Sequence, residues 1–168
     1  RDSLRAQELN LNVGKYSSSY IEAGVIHYPL WRLLRKQMLQ PEKVQIMHLA
    51  DEALKTMGDK GHLYGPGDQL TLLYVFHPNL STTRRETVLA ARSIIFSKIS
   101  EKEELTDDLN RFPHLRDELA CIRTTQQLDL DDCRRIFPLV RRAKSSDARQ
   151  LVARYLAESA TTSSWGYE

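Results

Sequence analysis

Residues 133 to 144 read CRRIFPLVRRAK, and the chemistry this spacing offers is anion binding. Arg134 and Arg135 recur seven positions later as Arg141 and Arg142, with Lys144 just beyond. Seven residues is close to two helical turns, so the pairs stack about 10 Å apart along one face, a separation that suits successive phosphates or lipid headgroups. On a helical wheel Cys133, Ile136, Phe137, Leu139 and Val140 gather on the opposite, apolar side. Pro138 removes the bond to the Arg134 carbonyl and is expected to kink or break the helix. The competing reading is a solvated face whose arginines pair with Asp131 and Asp132.

Two further basic clusters offer the same chemistry. Arg32, Arg35 and Lys36 flank the apolar side chains Leu30, Trp31, Leu34 and Met38 in YPLWRLLRKQM, and Arg84 and Arg85 form a pair ahead of an apolar helix. The first reads as an amphipathic core helix with a wet side, or as a membrane-surface element. Arg92 differs, because it falls between Val88, Leu89, Ile95 and Ile99 on the apolar face, where an arginine is expected to be paired and structural. Formal net charge is only +2, but it is uneven: residues 101–119 sum to −4 and residues 134–154 to +6. The distribution, not the total, points to an acidic partner.

Enzymatic chemistry finds little support. There is no phosphate-cradling glycine loop, no serine elbow and no pair of histidines at helical spacing with a glutamate. His27, His48, His62, His77 and His114 are scattered, and Cys121 and Cys133 lie twelve apart, so no metal or other cofactor is expected. The cysteines read as reduced thiols in apolar faces, with a single bridge as the alternative, which favours a cytoplasmic or nuclear compartment. Asp131 and Asp132 in LDLDDC lack the glycine and distal glutamate of a calcium loop, and Asp129 reads as a helix cap.

Helices must position these groups. A chain of 168 residues with 41% hydrophobic and 27% charged residues suits one soluble domain with a real core. Ser19 with Glu22, Thr83 with Glu86 and Ser100 with Glu103 have capping-box spacing. Pro29, Pro41 and Pro113 suit first turns, and Gly58 suits a stop. Helices are predicted near 2–10, 20–28, 30–40, 42–57, 68–77, 83–99, 101–110, 113–124, 130–143 and 146–158, with one substantial loop at 58–67. LTLLYVF at 70–76 reads as helix, capped by Asp68, and is too short to cross a bilayer; no stretch resembles a signal peptide. The fold class is all-α, a compact orthogonal multi-helix bundle, with 1–158 as a single domain and 159–168 as a flexible tail.

Residues 52–94 carry an apolar helix ending in Tyr74, Val75 and Phe76, a short polar turn, the pair Arg84 and Arg85, and a second apolar helix. That order resembles the N-terminal half of orthomyxovirus matrix proteins. The resemblance implies a non-enzymatic structural protein of the virion that self-associates and binds anionic membrane lipid and ribonucleoprotein or RNA. Arg84 and Arg85 carry over by position, and the main electropositive surface shifts to residues 134–154. The function expected is therefore matrix-like assembly on anionic surfaces, inside a cell, peripheral at a membrane or within a virion. The alternatives are a helical nucleic-acid-binding protein, with the same arginines on phosphates, and a helical adaptor or effector that binds a protein.

Overall fold

A computed structural model describes residues 2–24, 27–37, 44–59, 63–106 and 111–163. Among them the fold is all-α, without strands. Contacts sort the chain into two compact units, Arg1–Leu49 and Ala50–Glu168.

The first unit pairs α1 (Asp2–Val13) with α2 (Tyr28–Gln37). Leu30 and Leu34 are one turn apart on α2 and bury themselves with Ala6 of α1, while Leu9 and Leu33 pack at the edge. The helix expected at 20–28 does not form over 20–24, where the chain is irregular, and 25–26 lie outside the described residues. Three consecutive serines and Gly24 favour local side-chain bonding and backbone freedom over helix, so the Ser19 and Glu22 spacing caps nothing. Pro41 and Met38 lie outside the described residues.

The boundary between the units falls after the first residue of α3 (Leu49–Thr56), which is shorter than the predicted 42–57 because 44–48 are not helical. Gly58 stops the chain there with φ +77, while amides 57–59 return to the carbonyls of Ala53, Lys55 and Leu54. Helix α4 (Pro66–Phe76) confirms the helical reading of LTLLYVF. It starts two residues early, with Pro66 in its first turn and Asp68 reaching back to the amide of Gly65. A 3-10 turn at Pro78–Leu80 leads to α5 (Thr83–Ile99), whose cap is Thr82 rather than Thr83.

The helix predicted at 101–110 does not form over 101–106, and 107–110 lie outside the described residues. Ser100 closes α5 instead of opening a new helix, its amide and hydroxyl both donating to the Phe96 carbonyl. The Glu101 carboxylate then accepts from the amides of Lys102 and Glu103, so the side chain captures donors that a helix start would need organised. Those two bonds also pull the Glu101 pKa down.

Helices α6 (Pro113–Gln126), α7 (Leu130–Val140) and α8 (Ser145–Ser163) complete the unit. α5 packs against α4, α6, α7 and α8. Ile95 and Ile99 of α5 meet Cys121 of α6, Leu128, then Cys133, Ile136 and Val140 of α7, and Ala148 and Val152 of α8 in one buried cluster. Fully burying a side chain of this size contributes about 1.5–3 kcal/mol. α8 continues through Ser163, into the stretch expected as tail, and 164–168 lie outside the described residues. Both cysteines are buried free thiols, which removes the single-bridge alternative.

Candidate functional site

The capping of α7 follows the sequence reading: the Asp129 carboxylate accepts from the Asp132 amide at 2.7 Å, and Asp132 returns the bond to the Asp129 amide at 2.8 Å. This anchors the acidic start of the helix. Pro138 lies inside α7 without splitting it. The helix ends two residues later, and Arg141 keeps helical angles, its amide donating to the Phe137 carbonyl at 2.9 Å. Arg141 therefore stays near the register of a continuous helix, and Arg142 follows it in the turn.

Burial corrects the wheel. Cys133, Ile136 and Val140 are inside, but Phe137 is 40% and Leu139 58% exposed. Three inward positions spaced by three and four residues suffice to attach an 11-residue helix, and Phe137 and Leu139 fall outside that narrow stripe. They surface among Arg134, Arg135, Arg141, Arg142 and Lys144, all exposed.

The five cations are not equivalent. Arg134 donates to Asp131 at 3.0 Å, in a pair with both side chains about two-thirds exposed. Arg135 bonds to the Tyr155 hydroxyl, which donates in turn to Asp132 at 2.7 Å. That donation pushes the Tyr155 pKa up, because losing the proton would set a phenolate against a carboxylate. Arg141, Arg142 and Lys144 meet no carboxylate among the described residues, and they crowd the turn from α7 into α8. The solvated-face reading thus describes the start of the arginine series, and the unpaired charge sits at its end.

The other clusters belong to other helices. Arg32, Arg35 and Lys36 are exposed on α2 in the first unit, with the Arg35 guanidinium 5.5 Å from the centroid of the Trp31 ring. Arg84 and Arg85 are exposed in the first turn of α5. Arg92 donates through Nε to the Leu128 carbonyl at 2.6 Å, so its partner is a peptide group rather than the expected charge.

One arginine of the basic segment is not part of its free charge. Arg149 counts toward the +6 of residues 134–154, yet it clamps Asp117 and leaves the surface charge smaller than the sum implies. Its position beside Ala148 and three before Val152, both fully buried, is the signal available in the sequence. Histidines do not converge: His27 bonds to Asp2 at 2.9 Å in the first unit, His114 accepts from the Leu105 amide, and His62 lies outside the described residues. No group of three or more metal-capable side chains forms among the described residues. No described helix is long and apolar enough to cross a membrane.

No protein-family profile matches the chain, and no solved structure matches it. It is similar to an uncharacterized protein of Archaeoglobus fulgidus, 30% identical over 138 residues, which cover 82% of this chain and 45% of that protein. The chain spans less than half the length of this relative. The relative is archaeal, and nothing viral accompanies it, which overturns the resemblance to orthomyxovirus matrix proteins. A helical hairpin followed by an arginine pair is a local pattern that unrelated helical chains reach independently.

Proposed function

We propose that this chain is a non-enzymatic helical binding module that holds single-stranded nucleic acid on the outer face of α7 and the turn into α8. The observation that carries the reading is the uncompensated charge of Arg141, Arg142 and Lys144 beside the exposed ring of Phe137. Cations without carboxylate partners attract phosphates through counterion release, and an exposed aromatic gives a base a stacking surface. Arg134 extends the face at lower effective charge, since Asp131 pairs with it, and Arg135 extends it while tied to the neutral Tyr155 hydroxyl. The site of action is intracellular, where such polyanions are met.

Leu139 favours a second reading. An aliphatic side chain 58% exposed among arginines suits the headgroup boundary of an anionic membrane better than it suits a nucleic-acid backbone.

Fluorescence anisotropy with a labelled single-stranded oligonucleotide, repeated across salt concentrations, tests the proposal. Replacing Arg134, Arg135, Arg141 and Arg142 together by glutamine should weaken binding by orders of magnitude. The log–log salt slope should flatten by about 0.7 for each phosphate no longer neutralised. Phe137→Ala should lose about 1–3 kcal/mol with the slope unchanged. Undiminished binding by the quadruple variant sinks the reading. Binding to phosphatidylserine vesicles without oligonucleotide binding selects the membrane instead.

A further inference from the structure

The groove between α4 and α5 is built from cations that the fold does not neutralise. Arg84, Arg85 and Arg92 line a cavity of about 370 Å³ together with Gln69 and Thr82, and no acidic side chain faces it. Val88 and Leu89 supply its apolar part. This volume lies at the lower end of the range for small-ligand sites. Arg85 and Arg92 are seven residues apart, so they stand on one face of α5 about two turns from each other.

Other arginines of this unit are placed differently. Arg123 is bound to Asp59, Arg134 to Asp131 and Arg149 to Asp117, each an arginine tying two positions through a carboxylate. Arg84, Arg85 and Arg92 meet no carboxylate among the described residues, though they share one cavity. Three like charges that line one open groove repel. An anion entering the groove removes that repulsion.

The hydrogen bonds of the groove's side chains set them for the same ligand. Arg92 is held by its Nε bond to the Leu128 carbonyl, which orients the guanidinium. The Thr82 hydroxyl oxygen accepts from the Arg85 amide at 3.3 Å, so its proton is left to donate outward. The Gln69 amide nitrogen donates to the Tyr64 carbonyl at 3.0 Å, which fixes that side chain at the rim. Planar guanidinium groups with a hydroxyl donor beside them match the tetrahedral oxygens of a phosphate.

We propose that this groove binds the phosphate group of a small phosphorylated molecule. The assignment is independent of the polyanion face on α7, because the two use different arginines. Its ligand is either free phosphate or diphosphate, or a nucleotide whose base and sugar rest on Val88.

Amide chemical-shift titration of the full chain with inorganic phosphate, pyrophosphate and adenosine triphosphate tests it, each at ionic strength matched by sodium chloride. Shifts should cluster at Gln69, Thr82–Arg85 and Arg92, and pyrophosphate should bind at least tenfold more tightly than phosphate. R84Q/R85Q should weaken pyrophosphate binding at least tenfold, with circular dichroism unchanged because both side chains are exposed. R141Q/R142Q should leave it intact. Adenosine triphosphate binding tighter than pyrophosphate identifies a nucleotide; equal binding identifies the phosphate moiety alone. Absence of saturable shifts with all three probes, or shifts that persist in R84Q/R85Q, overturns the assignment.

Discussion

Arg149 and Asp117 are joined by two parallel hydrogen bonds, Nη1 to Oδ1 at 2.5 Å and Nη2 to Oδ2 at 2.8 Å, while Arg149 Nε donates to the Ile99 carbonyl at 2.5 Å. One side chain of α8 thus ties the body of α6 to the end of α5. Arg149→Ala should cost about 2 kcal/mol, since it removes charge-assisted bonds and leaves a half-buried carboxylate behind, in a pair only partly shielded from water. Arg149→Lys should recover little, because an ammonium cannot pair in bidentate fashion. Urea unfolding of the two variants checks both. A destabilisation no larger than that of Arg141→Ala, expected within about 0.5 kcal/mol of wild type, would show the clamp to be inert.

Arg92→Ala should also destabilise more than Arg141→Ala, by about 1 kcal/mol. The Leu128 carbonyl loses its donor, and the aliphatic stem of Arg92 leaves a half-buried position on α5. Thermal melts of the two single variants decide it.

Glu118 gives a pH signature. Burial, reinforced by the nearby charges of Asp68 and Asp117, raises its pKa above the usual carboxylate range. The folded chain therefore holds this proton more tightly than the unfolded chain. Stability from this group is present at low pH and is lost as pH rises from the ordinary carboxylate range through the raised value. Glu118→Gln should melt higher than wild type at neutral pH and equal it near pH 3. A difference of the same size at both pH values would mean that the ionisation is irrelevant.

A close approach of α4 to α5 can be tested through Gly67. A Cβ there would stand 2.9 Å from the Ser93 hydroxyl oxygen, so Gly67→Ala alone should cost about 1 kcal/mol of overpacking. Adding Ser93→Ala removes the obstructing atom and should restore stability, because the new Cβ then meets the Cβ at position 93 at an ordinary 3.9 Å. Additive effects in the double-mutant cycle would place the two residues too far apart to touch.

The sequence by itself determined the helical class, the bounds of α5, the start of α6 at Pro113, the cap of α7 at Asp129 and the stop at Gly58. Each of these rests on spacing, or on one residue acting on backbone groups within four positions, and such effects are local. Ser100 shows where local signals fail: the same hydroxyl that can open a helix instead closes α5, because Glu101 takes the following amides. The basic residues were legible as residues but not as a surface. Whether Phe137 turns inward or outward, whether Arg149 faces solvent or Asp117, and whether Arg92 joins Arg84 and Arg85 in one groove depend on partners contributed by α4, α6, α7 and α8. Those partners are distant in sequence, and the packing of helices around α5 brings them within bonding distance.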